Sequence, residues 1–201
     1  MMFSRQQPSQ RYSDLVSVYR TMHVSQPNSY VGKSLIEHIP DIRRLVDRTG
    51  AETLLDYGSG KGLVHRDGGV SAQLGVKSVR CYDPAVPEHS TFPAGEKFDG
   101  VISTDALEHI PEDDIPWVLN EMFAAARKFV FATVAAFPAH KILPNGENAH
   151  ACQNHWTWWK SLIETTAQKY PGVVYRFVVE IQNHNVKFLP MRRSSKIVTN
   201  G

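Results

Sequence analysis

The sequence predicts an α/β fold: a mostly parallel sheet with helices on both faces and a C-terminal antiparallel hairpin. Three observations carry this. Short apolar runs alternate with longer segments whose apolar residues recur every three or four positions, the pattern of buried strands joined by amphipathic helices. The first such run leads straight into Asp56-Tyr57-Gly58-Ser59-Gly60-Lys61-Gly62, with glycines at alternate positions. Near the C-terminus, two apolar runs flank Asn183-His184-Asn185, a turn sequence.

In chain order, residues 1–10 are polar and expected to fray. Residues 13–23 read as a helix, with Leu15, Val16, Val18, Tyr19 and Met22 on its apolar side. A stronger helix spans 31–48 on Leu35, Ile36, Ile39, Ile42, Leu45 and Val46; Pro40 should kink or interrupt it, and Gly50 should stop it. The period then changes to that of a strand over 53–57. The segment after Gly62 makes a poor helix because it contains Gly68 and Gly69. Strands follow over 78–82, ending at Asp83-Pro84, and over 98–103. Residues 111–128 read as a helix with Pro111 in the first turn, acidic residues 112–114 at its positive end, and Arg127 and Lys128 at its negative end. A buried strand over 129–134 precedes a loop rich in Pro, Gly, Asn and His. A helix over 156–170 and a hairpin of 173–182 with 186–191 complete the chain.

This is one domain. Helices occupy 1–49, a ligand-binding core 50–134, a loop 135–155, and the last helix and hairpin 156–201. With 201 residues, 42% hydrophobic and 21% charged, the chain can bury a sizeable core. Its net charge of +2 points to no polyanionic partner. There is no basic stripe with interleaved aromatics, so nucleic-acid binding is unsupported. No apolar run approaches the roughly 20 residues of a membrane span, and the N-terminus lacks the apolar core of a signal peptide. Cys81 and Cys152 form no metal or disulfide pattern, which suits a reducing cytoplasm.

In open α/β sheets, ligands sit beyond the carboxyl ends of the strands. Three polar strand ends meet that rule. The first is Asp56 with its glycine loop. The second is Asp83, 27 residues after Asp56, where a carboxylate can accept from both ribose hydroxyls. The third is Thr104-Asp105, followed by Leu107-Glu108-His109-Ile110-Pro111. The glycines are spaced Gly-x-Gly-x-Gly, not the Gly-x-Gly-x-x-Gly of dinucleotide sites.

Taken together, Leu-Leu-Asp-Tyr-Gly-Ser-Gly-Lys-Gly, Cys-Tyr-Asp-Pro and Phe-Asp-Gly-Val-Ile-Ser-Thr-Asp-Ala-Leu-Glu-His-Ile-Pro resemble the class I S-adenosylmethionine-dependent methyltransferases over about residues 50–135. The resemblance implies a Rossmann-like fold. It implies that Asp56, Tyr57, Gly58, Ser59, Gly60 and Gly62 hold the methionine end of S-adenosylmethionine. Asp83 and Pro84 would hold the ribose, and Thr104 and Asp105 would line the cleft near the sulfonium. One stretch departs from the family. Only 14 residues, with Pro84, Pro87 and Pro93 among them, separate Asp83 from Phe98. The family places a helix and a strand there, whose end helps to bind adenine, so the region between the second and fourth strands is shortened and the adenine contacts are unassigned.

The resemblance implies methyl transfer and says little about the substrate; the small size, with no separate recognition domain, points to a small-molecule or sugar-like acceptor, methylated at oxygen. His109 is the candidate base, because imidazole titrates near neutrality, with Asp105 beside it in the cleft. The competing assignment makes Glu108 and His109 a helix cap. Asp105-x-x-Glu108-His109 is also similar to the Glu-x-x-Glu-His of ubiquinone-pathway O-methyltransferases and small-RNA 3′-end 2′-O-methyltransferases, in which a divalent metal polarises the acceptor hydroxyl; His150 or His155 would then support it. The first ligand is Asp instead of Glu, and Leu-Glu-His also occurs in methyltransferases without metal, so no metal ligand is assigned. The loop 135–155, with His140, Lys141, Asn145, Asn148, His150 and His155, is either the acceptor wall or a solvated excursion. Trp156, Trp159, Ile163 and Tyr170 share a helix face and read as core, while Trp158 points elsewhere. Arg192 to Lys196 could touch phosphate but suits a solvated terminus. The shortened region also allows a non-catalytic cofactor-binding module, and the metal pattern allows an RNA 2′-O-methyltransferase.

Overall fold

The computed structural model describes residues 3–26, 32–66, 69–182 and 193–201. Helices α1 (Gln10–Ser25) and α2 (Lys33–Thr49) lead. Then come β1 (Thr53–Tyr57), the short helices α3 (Leu63–Arg66) and α4 (Gly69–Leu74), β2 (Ser78–Tyr82) and β3 (Phe98–Thr104). The chain continues through α5 (Ile115–Ala125), β4 (Ala126–Ala135), α6 (Trp156–Ala167), β5 (Val174–Gln182) and β6 (Arg193–Thr199). The strands form one sheet in the order β2-β1-β3-β4-β5-β6. The pairs from β2 to β5 are parallel, and β6 runs antiparallel to β5.

Strand alternation divides the core between the two sheet faces. Leu54, Ile102, Phe129 and Phe131 pack on one face with Leu35, Ile42, Leu45 and Val46 of α2 and with Val70 and Leu74 of α4. Leu55, Val101, Val130 and Ala132 pack on the other with Leu119 and Phe123 of α5 and Trp159 and Ile163 of α6. Trp159 and Ile163 are fully buried, as expected of the tryptophan-bearing helix face. Each large core side chain contributes about 1.5–3 kcal/mol by leaving water.

The connection from β2 to β3 contains no strand and only a short turn of 3₁₀ helix, Pro87–His89. Its prolines withhold donors that a further strand would need. β2 is therefore the sheet edge, and Cys81, expected in a buried strand, is only half-buried. Both cysteines are free thiols.

Several expected boundaries differ. α1 begins earlier, because Ser9 caps it by accepting from the Tyr12 N–H at 3.0 Å. The segment before it is anchored: Arg5 Nε donates to Glu121 at 2.6 Å, and Asp114 accepts from the Ser9 N–H at 3.0 Å. α2 continues through Pro40, which lies on its exposed side, because Leu35 before it and Ile42, Leu45 and Val46 after it are buried in one core. Gly50 stops α2 in the left-handed conformation.

The helix expected over 111–128 is shorter. A 3₁₀ turn, Glu112–Asp114, precedes α5, and Arg127 and Lys128 belong to β4. Lys128 Nζ donates to the Gly50 carbonyl at 2.6 Å and pairs with Asp99 at 3.5 Å, so its charge serves the C-terminal end of α2 and the start of β3 instead of the end of the helix that precedes it. Asp114, expected as one of three acids at a helix start, is fully buried. The last helix stops at Ala167. The expected strand 186–191 and its turn lie outside the described residues; the observed partner of β5 is β6, which also contains Lys196 of the expected solvated terminus. Among the described residues, no helix is long and apolar enough to cross a membrane.

Candidate active site

β2 and β3 flank β1 on opposite sides, so strand order reverses at β1. Beyond the carboxyl ends of these strands lies a cavity of about 560 Å³. Asp56, Tyr57, Gly58, Ser59, Gly60, Asp83, Pro84, Thr104, Asp105 and His109 all line it. Gly62 does not line it. A Cβ at Gly62 would lie 2.8 Å from Cys81 Sγ and 3.1 Å from His89 Nε2, so this glycine permits packing against β2.

The glycine loop is gripped by the end of β2. The Tyr82 carbonyl accepts from the Gly58 N–H at 2.8 Å and the Ser59 N–H at 3.1 Å. Asp83 Oδ2 accepts from the Gly60 N–H at 2.9 Å, and Oδ1 from the Ala85 N–H at 2.8 Å. Gly58 has φ +81°, and a Cβ there would lie 2.4 Å from Cβ of Ala106, just after β3. The loop thus lies where only glycine fits, but its amides face β2, not a ligand as the glycine pattern suggested. Burial raises the Asp83 pKa, partly offset by the Ala85 and Gly60 N–H groups. Asp56 is buried with His65, whose Nε2 lies 2.8 Å from Asp56 Oδ2.

Beyond β3, Asp105 adopts φ 49°, unfavourable for a residue with a side chain. It is held by neighbours. Thr133 Oγ1 accepts from the Asp105 N–H at 2.9 Å and donates to Asp105 Oδ1 at 2.6 Å, and Ser34 donates to Oδ2. Glu108 is fully buried. Its Oε1 accepts from the Ala135 N–H at 3.2 Å, while Oε2 has no hydrogen-bond partner. Burial and then Asp105 push its pKa well above the usual carboxylate range.

His109 Nδ1 lies 2.7 Å from the Ala149 carbonyl, which also accepts from the Tyr19 hydroxyl at 2.9 Å. The Tyr19 hydroxyl is also 2.8 Å from Nδ1; since a carbonyl only accepts, the tautomer with the proton on Nδ1 satisfies Ala149, and in it Nε2 is the ring's acceptor. Burial holds the His109 pKa down at about 4. Glu108, His109 and His150 offer ligand atoms within 4.8 Å of one another. Asp105 and His155 are outside this group, and His155 instead caps α6.

The roof was not anticipated. Tyr12, Leu15, Val16, Tyr19 and His23 of α1, and Gly32, Ser34 and Leu35 at the start of α2, line the cavity. None of residues 135–155 does; the loop meets α1 from behind, where Leu143 and Ala149 pack with Leu15 and Met22. Trp158 packs edge-on against Trp159 and does not reach the cavity. Spacing could have flagged the roof. Tyr12, Tyr19 and His23 share a helix face that places polar atoms where a core-facing helix usually has none.

Two expectations follow. Gly58→Ala should lose about 1–3 kcal/mol of stability in urea unfolding, from the φ penalty and the clash with Ala106. For Glu108, the folded pKa is raised, so the protonated acid is favoured in the native state and stability is lost as pH rises from the unfolded value toward the folded one. Glu108→Gln mimics the neutral acid. In chelator-treated protein it should be more stable than wild type once the pH rises above the ordinary carboxylate range, and match it at pH 4, where Glu108 is protonated in both states.

No protein-family model matches the chain, and no curated protein does. Solved structures do. Burkholderia thailandensis 1,6-didemethyltoxoflavin-N1-methyltransferase, with bound 1,6-didemethyltoxoflavin and S-adenosylhomocysteine, superposes with TM-score 0.58 and 15% identity, over 96% of this chain and 91% of that one. A DhpI–SAH complex gives TM-score 0.36 and 13% identity over 94% and 79%, too distant to carry an argument. The chain therefore has the Rossmann-like fold of a class I S-adenosylmethionine-dependent methyltransferase.

Proposed function

We propose that the chain is an S-adenosylmethionine-dependent methyltransferase that methylates a small molecule at oxygen. The observation that carries this reading is the convergence of the β1, β2 and β3 end motifs on one cavity at the switch point. When bound, S-adenosylmethionine would supply a methyl group on a cationic sulfur. The residues present fit that group. Asp83 keeps lone pairs beyond those given to Gly60 and Ala85, as ribose hydroxyls require. Asp56 and Asp105, at the other end, offer carboxylates to an ammonium and a sulfonium. Leu15, Val16 and Ile110 add apolar surface to the lining, which lowers the local polarity around these charges.

The acceptor hydroxyl must lose a proton, and bare Nε2 of His109 is the group suited to take it. A base this weak matches an acidic O–H, such as an enol or electron-poor phenol, better than a sugar hydroxyl. Leu15, Val16, Tyr19 and Ile110 also favour a flat, apolar acceptor. The Burkholderia thailandensis neighbour binds a small molecule, which supports that acceptor class and makes nitrogen the alternative atom. A second reading rests on the Glu108, His109 and His150 group. These three could hold a divalent metal, which would act as a Lewis acid on the acceptor oxygen.

Incubation with S-adenosylmethionine and a panel of phenols, enols and heteroaromatic amines should release S-adenosylhomocysteine with at least one acceptor. His109→Gln should then lower kcat at least ~100-fold while leaving S-adenosylhomocysteine affinity within about threefold. An unchanged kcat would remove His109 from the chemistry. EDTA should leave turnover unchanged; loss that Mg²⁺ or Mn²⁺ restores would favour the metal reading.

A further inference from the structure

The shortened β2–β3 connection leaves the nucleoside end of the cavity without the strand that would otherwise flank it. We propose that α1 supplies the missing wall: Val16 and Tyr12 cover one face of the adenine, opposite Ala85 and Ile110. This rests on the reading of the cavity as a site for S-adenosylmethionine.

The position follows from Asp83. If its carboxylate holds the ribose, the base extends away from the glycine loop, past Pro84 and Ala85. Among the described residues β2 is the edge strand, and none of them forms a further strand on that side. α1 is fixed to it instead. Arg20 donates to the Pro84 carbonyl at 3.0 Å. Arg5, just ahead of α1, donates to the Tyr82 hydroxyl at 2.6 Å and lies over the Phe92 ring, 4.1 Å from its centroid. These contacts hold the α1 segment against the end of β2 and against its connection to β3.

Tyr12, Val16 and Pro84 line both the main cavity and a neighbouring one of about 370 Å³, so they form the partition at this end. Tyr12 packs edge-on against Trp117 with ring centroids 5.4 Å apart, which fixes its ring. Its phenol feels the charge of Asp83, and burial first of all raises its pKa, keeping it a neutral donor. A flat apolar slot with one neutral donor, next to a ribose-binding carboxylate, is what a purine requires. Further along the same face, Tyr19 lies against His109, with its hydroxyl 2.8 Å from Nδ1, and belongs to the acceptor. One helix thus covers both the nucleoside and the reacting group.

The test uses the full chain, calorimetry and three probes: S-adenosylhomocysteine, adenosine, and S-ribosylhomocysteine, which lacks the base. Val16→Ala keeps a strong helix former and removes two methyl groups from the wall. It should weaken S-adenosylhomocysteine and adenosine roughly tenfold and leave S-ribosylhomocysteine unchanged. Asp83→Asn should weaken all three. If Val16→Ala weakens S-ribosylhomocysteine equally, or weakens none, while wild type and Asp83→Asn behave as stated, α1 is not the adenine wall and the cofactor reading survives. If wild type binds none of the probes, the cofactor reading falls and the wall with it.

Discussion

The grip of β2 on the glycine loop is the constraint from which the rest of the site follows. The Tyr82 carbonyl and the Asp83 carboxylate take the N–H groups of Gly58, Ser59 and Gly60, and a positive φ at Gly58, Gly60 and Gly62 lets the loop turn tightly enough to meet them. A left-handed conformation at consecutive alternate positions is strained for any residue with a Cβ. With the loop drawn back onto β2, Ala106 closes against Gly58 and the floor of the cavity is complete. Asp83 then has two tasks. It holds the loop and presents its carboxylate to the cavity.

The roof depends on a different set of forces. Arg5 is half-buried, which works against its charge, but the Glu121 carboxylate and the Tyr57 and Tyr82 hydroxyls outweigh that. Breaking one partner of such a pair leaves an uncompensated charge, far more costly than losing a solvated ion pair. Asp114 ties Ser9 and Trp117 together, with the indole N–H donating at 2.8 Å. These contacts draw the N-terminal segment over the sheet end and set where α1 lies. His23 lies in this roof and His109 beneath it, and burial lowers the pKa of both to about 4.

The sheet strands were legible because their signals are local. β1 and β2 match the expected bounds, since apolar runs ending at Asp56 and Asp83 leave little room for another register. The glycine spacing and the two carboxylates were equally plain. What was not legible depends on contacts distant in sequence. Arg5 looked like part of a frayed tail because its partner, Glu121, is in α5. Asp114 looked like one of three helix-start acids because nothing in the sequence placed Ser9 near it. Lys128 looked like a helix-end charge until β3 paired Phe98 with Ala126, which commits the chain there to a strand. Leu15, Val16 and Tyr19 of α1 read as an ordinary apolar helix side, because a ligand wall and a core face have the same period; Tyr12 fell outside the expected helix. His65 gave no signal because its partner, Asp56, was taken as a ligand contact.

The most direct test of this account is amide NMR of the labelled chain titrated with S-adenosylhomocysteine. The account predicts that the amides to shift will be those of Gly58 to Gly60, Asp83 to Ala85, Thr104 to Ala106, and Tyr12, Val16 and Tyr19 of α1. Saturable shifts at all of these would place one ligand between the gripped loop and the roof. No shifts at saturating ligand, or shifts confined to residues away from the ends of β1, β2 and β3, would contradict it.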